Sequence, residues 1–160
     1  MEHEDRKTER RLEPSDPSQK IIGACIEVHR NLGPGLLESV YRDCLRYELG
    51  VAGLNFVMEQ SLPVHYKGVK LEIGYRLDFV IENSLILEIK AIERLLPIHE
   101  AQVLTYLKLA NIPIGLLVNF NAVTLKQGLR RLTRKDRLPV SLSSCDGSYP
   151  FDASPKVYDW

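Results

Sequence analysis

Tyr75–Lys90 reads YRLDFVIENSLILEIK, two apolar runs separated by the polar triplet Glu82-Asn83-Ser84. That pattern predicts a β-hairpin. The second run, Leu85 to Lys90, has the composition of a buried strand, yet Glu88 and Lys90 stand in it two residues apart. Strand side chains repeat every second residue, so these two share a face. The position of Asp78 depends on the hairpin loop. A loop of three residues, Glu82 to Ser84, pairs Ile81 with Leu85 and sets Asp78 opposite Glu88. A loop of two sets Asp78 opposite Ile89, with the carboxylates on opposite faces unless a bulge intervenes. Two carboxylates side by side on a sheet repel each other and call for a cation. The first register therefore predicts a divalent-metal site with an adjacent lysine.

Around this hairpin, 160 residues at 44% hydrophobic content suffice for one domain with a core. No apolar run approaches the roughly 18 residues of a membrane span, and the polar start MEHEDRKTER is no signal peptide. Cys25, Cys44 and Cys145 are scattered and form no CxxC pair. Neither a disulfide framework nor a thiolate zinc site is supported, and a reduced, cytoplasmic protein is expected. Lysine and arginine total 21, as do the acidic residues, so the chain lacks the basic excess of a nucleic-acid coat. The segment Lys126–Arg137 is nevertheless net +5. Its Arg130, Arg131 and Arg134 read either as a phosphate-contacting patch or as a solvated helix face. His99-Glu100 brings a zinc protease to mind, but HExxH needs a histidine where Val103 stands.

Along the chain, residues 1–15 read as a disordered polar leader. Asp16-Pro17 is a helix start, and Ile22, Cys25, Ile26, His29 and Leu32 form the stripe of a first helix ended by Gly33-Pro34. His29 on that stripe reads first as a hydrogen-bonded core residue and second as a site residue. A second helix runs from Leu36 to about Leu49, with Leu37, Val40, Tyr41, Cys44 and Leu45 inward and Glu38 near the stripe's edge. Glu38 is either a first-turn glutamate favoured by the helix dipole or a half-buried carboxylate waiting for a cation. Short strands follow at Phe56–Gln60, Leu62–Tyr66 and Val69–Ile73, leading into the hairpin. Pro97 opens a helix to Ala110 that carries Ile98, Gln102, Tyr106 and Leu109 on one face. Ile114–Phe120 is a central strand, Val123–Leu125 a short one, and Gln127–Leu132 a last helix. The domain is expected over residues 16–132, with an irregular tail over 133–160. This order predicts an α/β fold with a central mixed β-sheet flanked by helices.

Five stretches in this order resemble one family. They are Val28-His29-Arg30-Asn31-Leu32-Gly33-Pro34, then Gly35-Leu36-Leu37-Glu38-Ser39-Val40-Tyr41, then Asp78, then Glu88-Ile89-Lys90, then Gln102-Val103-Leu104-Thr105-Tyr106. The chain resembles the GxxExxY proteins of the PD-(D/E)XK nuclease superfamily, from about Ile21 to Arg131. The signature's proline–aspartate pair is not literal here, because Arg76-Leu77 precedes Asp78. The resemblance implies a restriction-endonuclease-like core with a metal-dependent phosphodiesterase site. In it, Asp78, Glu88 and the backbone carbonyl of Ile89 would hold Mg²⁺ or Mn²⁺, with Glu38 binding directly or through water. Lys90 would face the attacking water and the phosphate, while Gln102 and Tyr106 orient them. The alternative is a buried Asp–Lys–Glu network serving stability, which rarely gains anything from three charges. Two functions compete: a nuclease acting on DNA or RNA, and a catalytically silent nuclease-fold module binding a protein or nucleic-acid partner. The sequence leaves oligomeric state open, a homodimer included.

Overall fold

The computed structural model describes residues 16–136; the expected leader and nearly all of the expected tail lie outside them. Asp16 Oδ1 accepts the Ser18 amide at 2.9 Å just ahead of helix α1 (Ser18–Leu32), satisfying one of its free N–H groups. The buried row of α1 is Ile21, Ala24, Cys25 and Val28. The expected stripe is thus turned: Ile26 and Leu32 are exposed, and His29 is half-buried with Nε2 2.9 Å from the Ala122 carbonyl. His29 is thus a hydrogen-bonded packing residue.

Helix α2 (Glu38–Val51) buries Tyr41, Leu45 and Leu49, whereas Leu37 and Val40 face solvent. Strand β1 (Phe56–Tyr66) and β2 (Val69–Ile81) merge the shorter strands expected there into one long antiparallel ribbon, with a register shift between Leu62 and Val64. Gly74 permits the shift, since a Cβ there would collide with the Leu62 carbonyl oxygen. Strand β3 (Leu85–Lys90), helix α3 (Pro97–Ala110) and β4 (Ile114–Asn119) lie where the sequence puts them. On α3, Val103, Leu104, Tyr106 and Leu107 face inward, while Ile98 and Leu109 point out, so the expected row is split by the burial of Tyr106.

The last described elements differ from the expectation. Val123–Leu125 forms no strand, α4 is a single turn (Leu125–Gly128), and the expected helix is strand β5 (Leu129–Thr133). Beyond β4 the sheet has a free edge, and pairing Leu117 with Arg130 and Gly115 with Leu132 closes it. Pairing and burial of Leu132 outweigh the local helical pattern.

The five strands stand in the order β1-β2-β3-β4-β5, antiparallel except for the parallel pair β3–β4. Helices α1 and α2 cover one face through Phe79, Ile81, Leu87, Ile89 and Phe120. Helix α3 covers the other through Val80, Ile86 and Leu117. Strand β3 is buried from both sides, and each of its fully buried leucines or isoleucines contributes about 1.5–3 kcal/mol.

Candidate active site

The hairpin loop is Glu82 to Ser84, with Glu82 and Asn83 at left-handed φ of 50° and 52° and Ser84 N–H bonded to the Ile81 carbonyl at 3.1 Å. The ladder runs Ile81↔Leu85, Val80↔Ile86, Phe79↔Leu87 and then opens. Where Asp78 would pair with Glu88, its carboxylate Oδ2 instead accepts the Ile89 amide at 3.0 Å. Leu77 and Phe79 pack into opposite cores, so the strand turns over at Asp78. Opposite this turn, Glu59 sits at a φ of 52°.

At this opening Lys90 Nζ donates to Glu88 Oε1 at 3.0 Å. The other oxygen, Glu88 Oε2, is buried and has no hydrogen-bond partner among the described residues. Burial first, then the charge of Asp78, pushes the Glu88 carboxyl up to about 7, against the pull of Lys90. Such a group makes stability fall with pH. Between 4.5 and about 7 the folded protein holds a proton that the unfolded chain has released, so stability declines as pH rises through that window. Denaturant midpoints of the metal-free protein should therefore drop from pH 4.5 to 7, and Glu88→Gln should flatten that drop. An equal slope in the variant would remove Glu88 as its source.

From α2, Glu38 shares a cation with Asp78. Arg42, which the sequence reading missed, lies between them: its guanidinium is 2.7 Å from Glu38 Oε1 and 3.0 Å from Asp78 Oδ1. As a glutamate–arginine pair four apart, the two look in sequence like an ordinary helix-surface ion pair. The loop ahead of α2 is fixed by the motif's ends. Gly35 has a φ of 100°, which favours glycine, and its amide donates to Asn121 Oδ1 at 2.9 Å. The Tyr41 hydroxyl donates to the Gly33 carbonyl at 2.6 Å and accepts the Leu36 amide at 3.1 Å, while its ring stacks on Phe120.

Helix α3 supplies Gln102 and Tyr106, joined by a 2.6 Å bond from Gln102 Nε2 to the Tyr106 hydroxyl. Burial and the nearby Glu88 charge push the Tyr106 phenol up, so it stays protonated. Tyr75 meets Tyr106 edge to face, and with His99 and Gln102 these rings line an open cleft of about 450 Å³. Asn119, also missed, is buried at the end of β4. It accepts the amides of Ile92 and Asn121 and donates to the Ile92 carbonyl, holding the chain that leaves Lys90.

The three arginines of the basic segment do not form one patch. Arg130 lies 3.5 Å from Glu100, Arg131 2.8 Å from Asp16, and Arg134 bonds Asn111. On a strand, neighbours Arg130 and Arg131 point to opposite faces, which the expected helix would not have required.

A family model of the PD-(D/E)XK nuclease superfamily matches residues 15–132. The chain belongs to that superfamily. Its mixed sheet with flanking helices is the restriction-endonuclease-like fold, and the Asp78, Glu88-Ile89-Lys90 cluster lies inside the matched region. No curated protein and no solved structure matches the chain. Superfamily members are generally divalent-metal dependent. Among the described residues no group of three or more His, Cys, Asp or Glu converges as a ready metal cluster. Two carboxylates are nonetheless the usual protein share of a magnesium site, with water supplying the rest. The unpartnered, buried Glu88 Oε2 beside Asp78 fits that donor set.

Proposed function

We propose that this superfamily member is a divalent-metal-dependent nuclease hydrolysing phosphodiester bonds of DNA or RNA. The observation that carries the reading is Glu88 Oε2: a buried carboxylate oxygen with no donor among the described residues, next to a second carboxylate, is costly unless a proton or a cation completes it, and only the cation serves both carboxylates. Asp78, Glu88 and the Ile89 carbonyl would hold Mg²⁺ or Mn²⁺, with Glu38 as a water-mediated contributor. When bound, the ion polarises the phosphoryl oxygen and stabilises charge developing in line. Lys90 presents its ammonium to the attacking water and the scissile phosphate, lowering the cost of negative charge there. Gln102 and the protonated Tyr106 are donors able to orient a phosphate oxygen or that water. Arg130, Arg131 and Arg134 would contact phosphates only by exchanging their present partners, which exposed pairs do at little cost. Membership of the GxxExxY group is supported by the separate duties of Gly35, Glu38 and Tyr41, and a cytoplasmic location by the free thiols of Cys25 and Cys44.

One observation favours the silent binding module as a second reading. Arg42 already neutralises Asp78 and Glu38, so the carboxylates are not bare. A panel of single- and double-stranded DNA and RNA, incubated with Mg²⁺, Mn²⁺, Ca²⁺ or chelator, separates the two. Cleavage with Mg²⁺ or Mn²⁺, little with Ca²⁺ and none with chelator, is expected. Metal binding without cleavage of any substrate supports the module.

A further inference from the structure

Arg42 is held in an uneven way. Its terminal nitrogen Nη2 serves both Glu38 Oε1 at 2.7 Å and Asp78 Oδ1 at 3.0 Å, while its Nε is buried with no acceptor among the described residues. An unmade bond at a buried cationic donor counts against the arrangement, so the guanidinium is not saturated where it lies. Asp78 Oδ2 accepts the Ile89 amide and keeps a second lone pair, while Oδ1 is the oxygen that Arg42 holds. A guanidinium and a divalent ion cannot both hold that oxygen in this geometry without strong like-charge repulsion. Two positive charges, Arg42 and Lys90, thus stand against the three carboxylates Glu38, Asp78 and Glu88.

We propose that Arg42 is the built-in counter-ion of the metal-free site: it keeps the carboxylates neutralised, must withdraw from Asp78 for a divalent ion to bind, and so sets the concentration at which the site loads. This rests on reading Asp78 and Glu88 as metal ligands. The helical origin of Arg42 makes withdrawal local, because the side chain keeps Glu38, one turn earlier on α2, as its partner. Charge-assisted bonds of this kind are worth about ten- to a hundredfold in an equilibrium constant. Metal affinity in the native chain is lowered by about that factor.

The test is a calorimetric Mn²⁺ titration of the full chain as wild type, Arg42→Gln and Arg42→Lys, with melting temperatures measured with and without Mn²⁺. Arg42→Gln should bind Mn²⁺ at a concentration about ten- to a hundredfold lower. Arg42→Lys, a point charge that bridges two carboxylates poorly, should fall between. Metal-free Arg42→Gln should melt below wild type, and saturating Mn²⁺ should close that gap. If the variants melt lower but bind Mn²⁺ no tighter than wild type, Arg42 is a structural bridge and the proposal is overturned while the metal site stands. If wild type and both variants all fail to bind Mn²⁺ at millimolar concentration, the metal-site reading fails, and the Arg42 proposal with it. Should Arg42→Gln not fold, Arg42→Lys alone decides, since unchanged affinity in it contradicts the competition.

Discussion

Lys90→Ala is expected to abolish phosphodiester cleavage while leaving Mn²⁺ binding in place. Lys90 reaches the site from the last position of β3, with its ammonium 3.0 Å from Glu88 Oε1 and its backbone carbonyl accepting the Phe120 amide at 2.9 Å. The backbone bond survives the substitution, so the strand end keeps its place. What is lost is the positive charge offered to the attacking water and the phosphate. Donors aimed at developing charge are worth about 10²–10³ in rate when removed singly, and a full ammonium lies at or above the top of that range. Metal affinity should hold or rise, because lysine is no ligand and its removal frees Glu88. Single-turnover cleavage and a calorimetric titration on the same preparation check both halves. Retained cleavage would remove Lys90 from the mechanism, and lost metal binding would make it structural.

The second large effect is on stability. Asn119→Ala leaves the Ile92 amide, the Ile92 carbonyl and the Asn121 amide without the partner they share. These groups are part-buried, so each costs less than the about 1–3 kcal/mol of a fully buried unsatisfied group, and the variant should lose roughly 2–4 kcal/mol in all. That is a large share of the stability of a domain this size. Asn121 Oδ1 also accepts the Gly35 amide, so loosening this junction disturbs the loop that delivers Glu38 as well. A denaturant midpoint within error of wild type would show that Asn119 is not a structural hub.

Much of the frame was legible because its signals were local. The triplet Glu82-Asn83-Ser84 marks the hairpin but leaves its loop at two or three residues; the structure takes three, which sets Ile81, Val80 and Phe79 against Leu85, Ile86 and Leu87. The apolar run Ile114 to Phe120 could only be a strand covered on both faces, and Pro97 could only open a helix. Other features depend on contacts far along the chain. The first helix carries two overlapping apolar rows, and only the sheet beneath it selects Ile21, Ala24, Cys25 and Val28 over Ile22 and Ile26. The final strand forms because β4 has an edge to cover, which no local pattern in LRRLT announces. In the site, strand periodicity puts Glu88 and Lys90 on one face, but Asp78 meets them through the turn-over of β2 and the Ile89 amide rather than by pairing with Glu88. Arg42 does not follow from periodicity, because its tie to Asp78 exists only where β2 turns over and the β2–β3 ladder ends.

The most direct test of the central claim is whether metal binding and cleavage vanish together when one carboxylate becomes an amide. Asp78→Asn keeps the size of the side chain and an oxygen for the Ile89 amide, so the domain should stay folded. It replaces a charged ligand with a neutral one that a hard cation holds poorly. Purified wild type and Asp78→Asn, each titrated with Mn²⁺ and assayed on the same nucleic-acid panel, give the answer. The account predicts Mn²⁺ binding and metal-dependent cleavage by wild type and neither by Asp78→Asn, with both proteins cooperatively folded. Cleavage by Asp78→Asn equal to wild type, or cleavage by wild type undiminished in chelator, would contradict it.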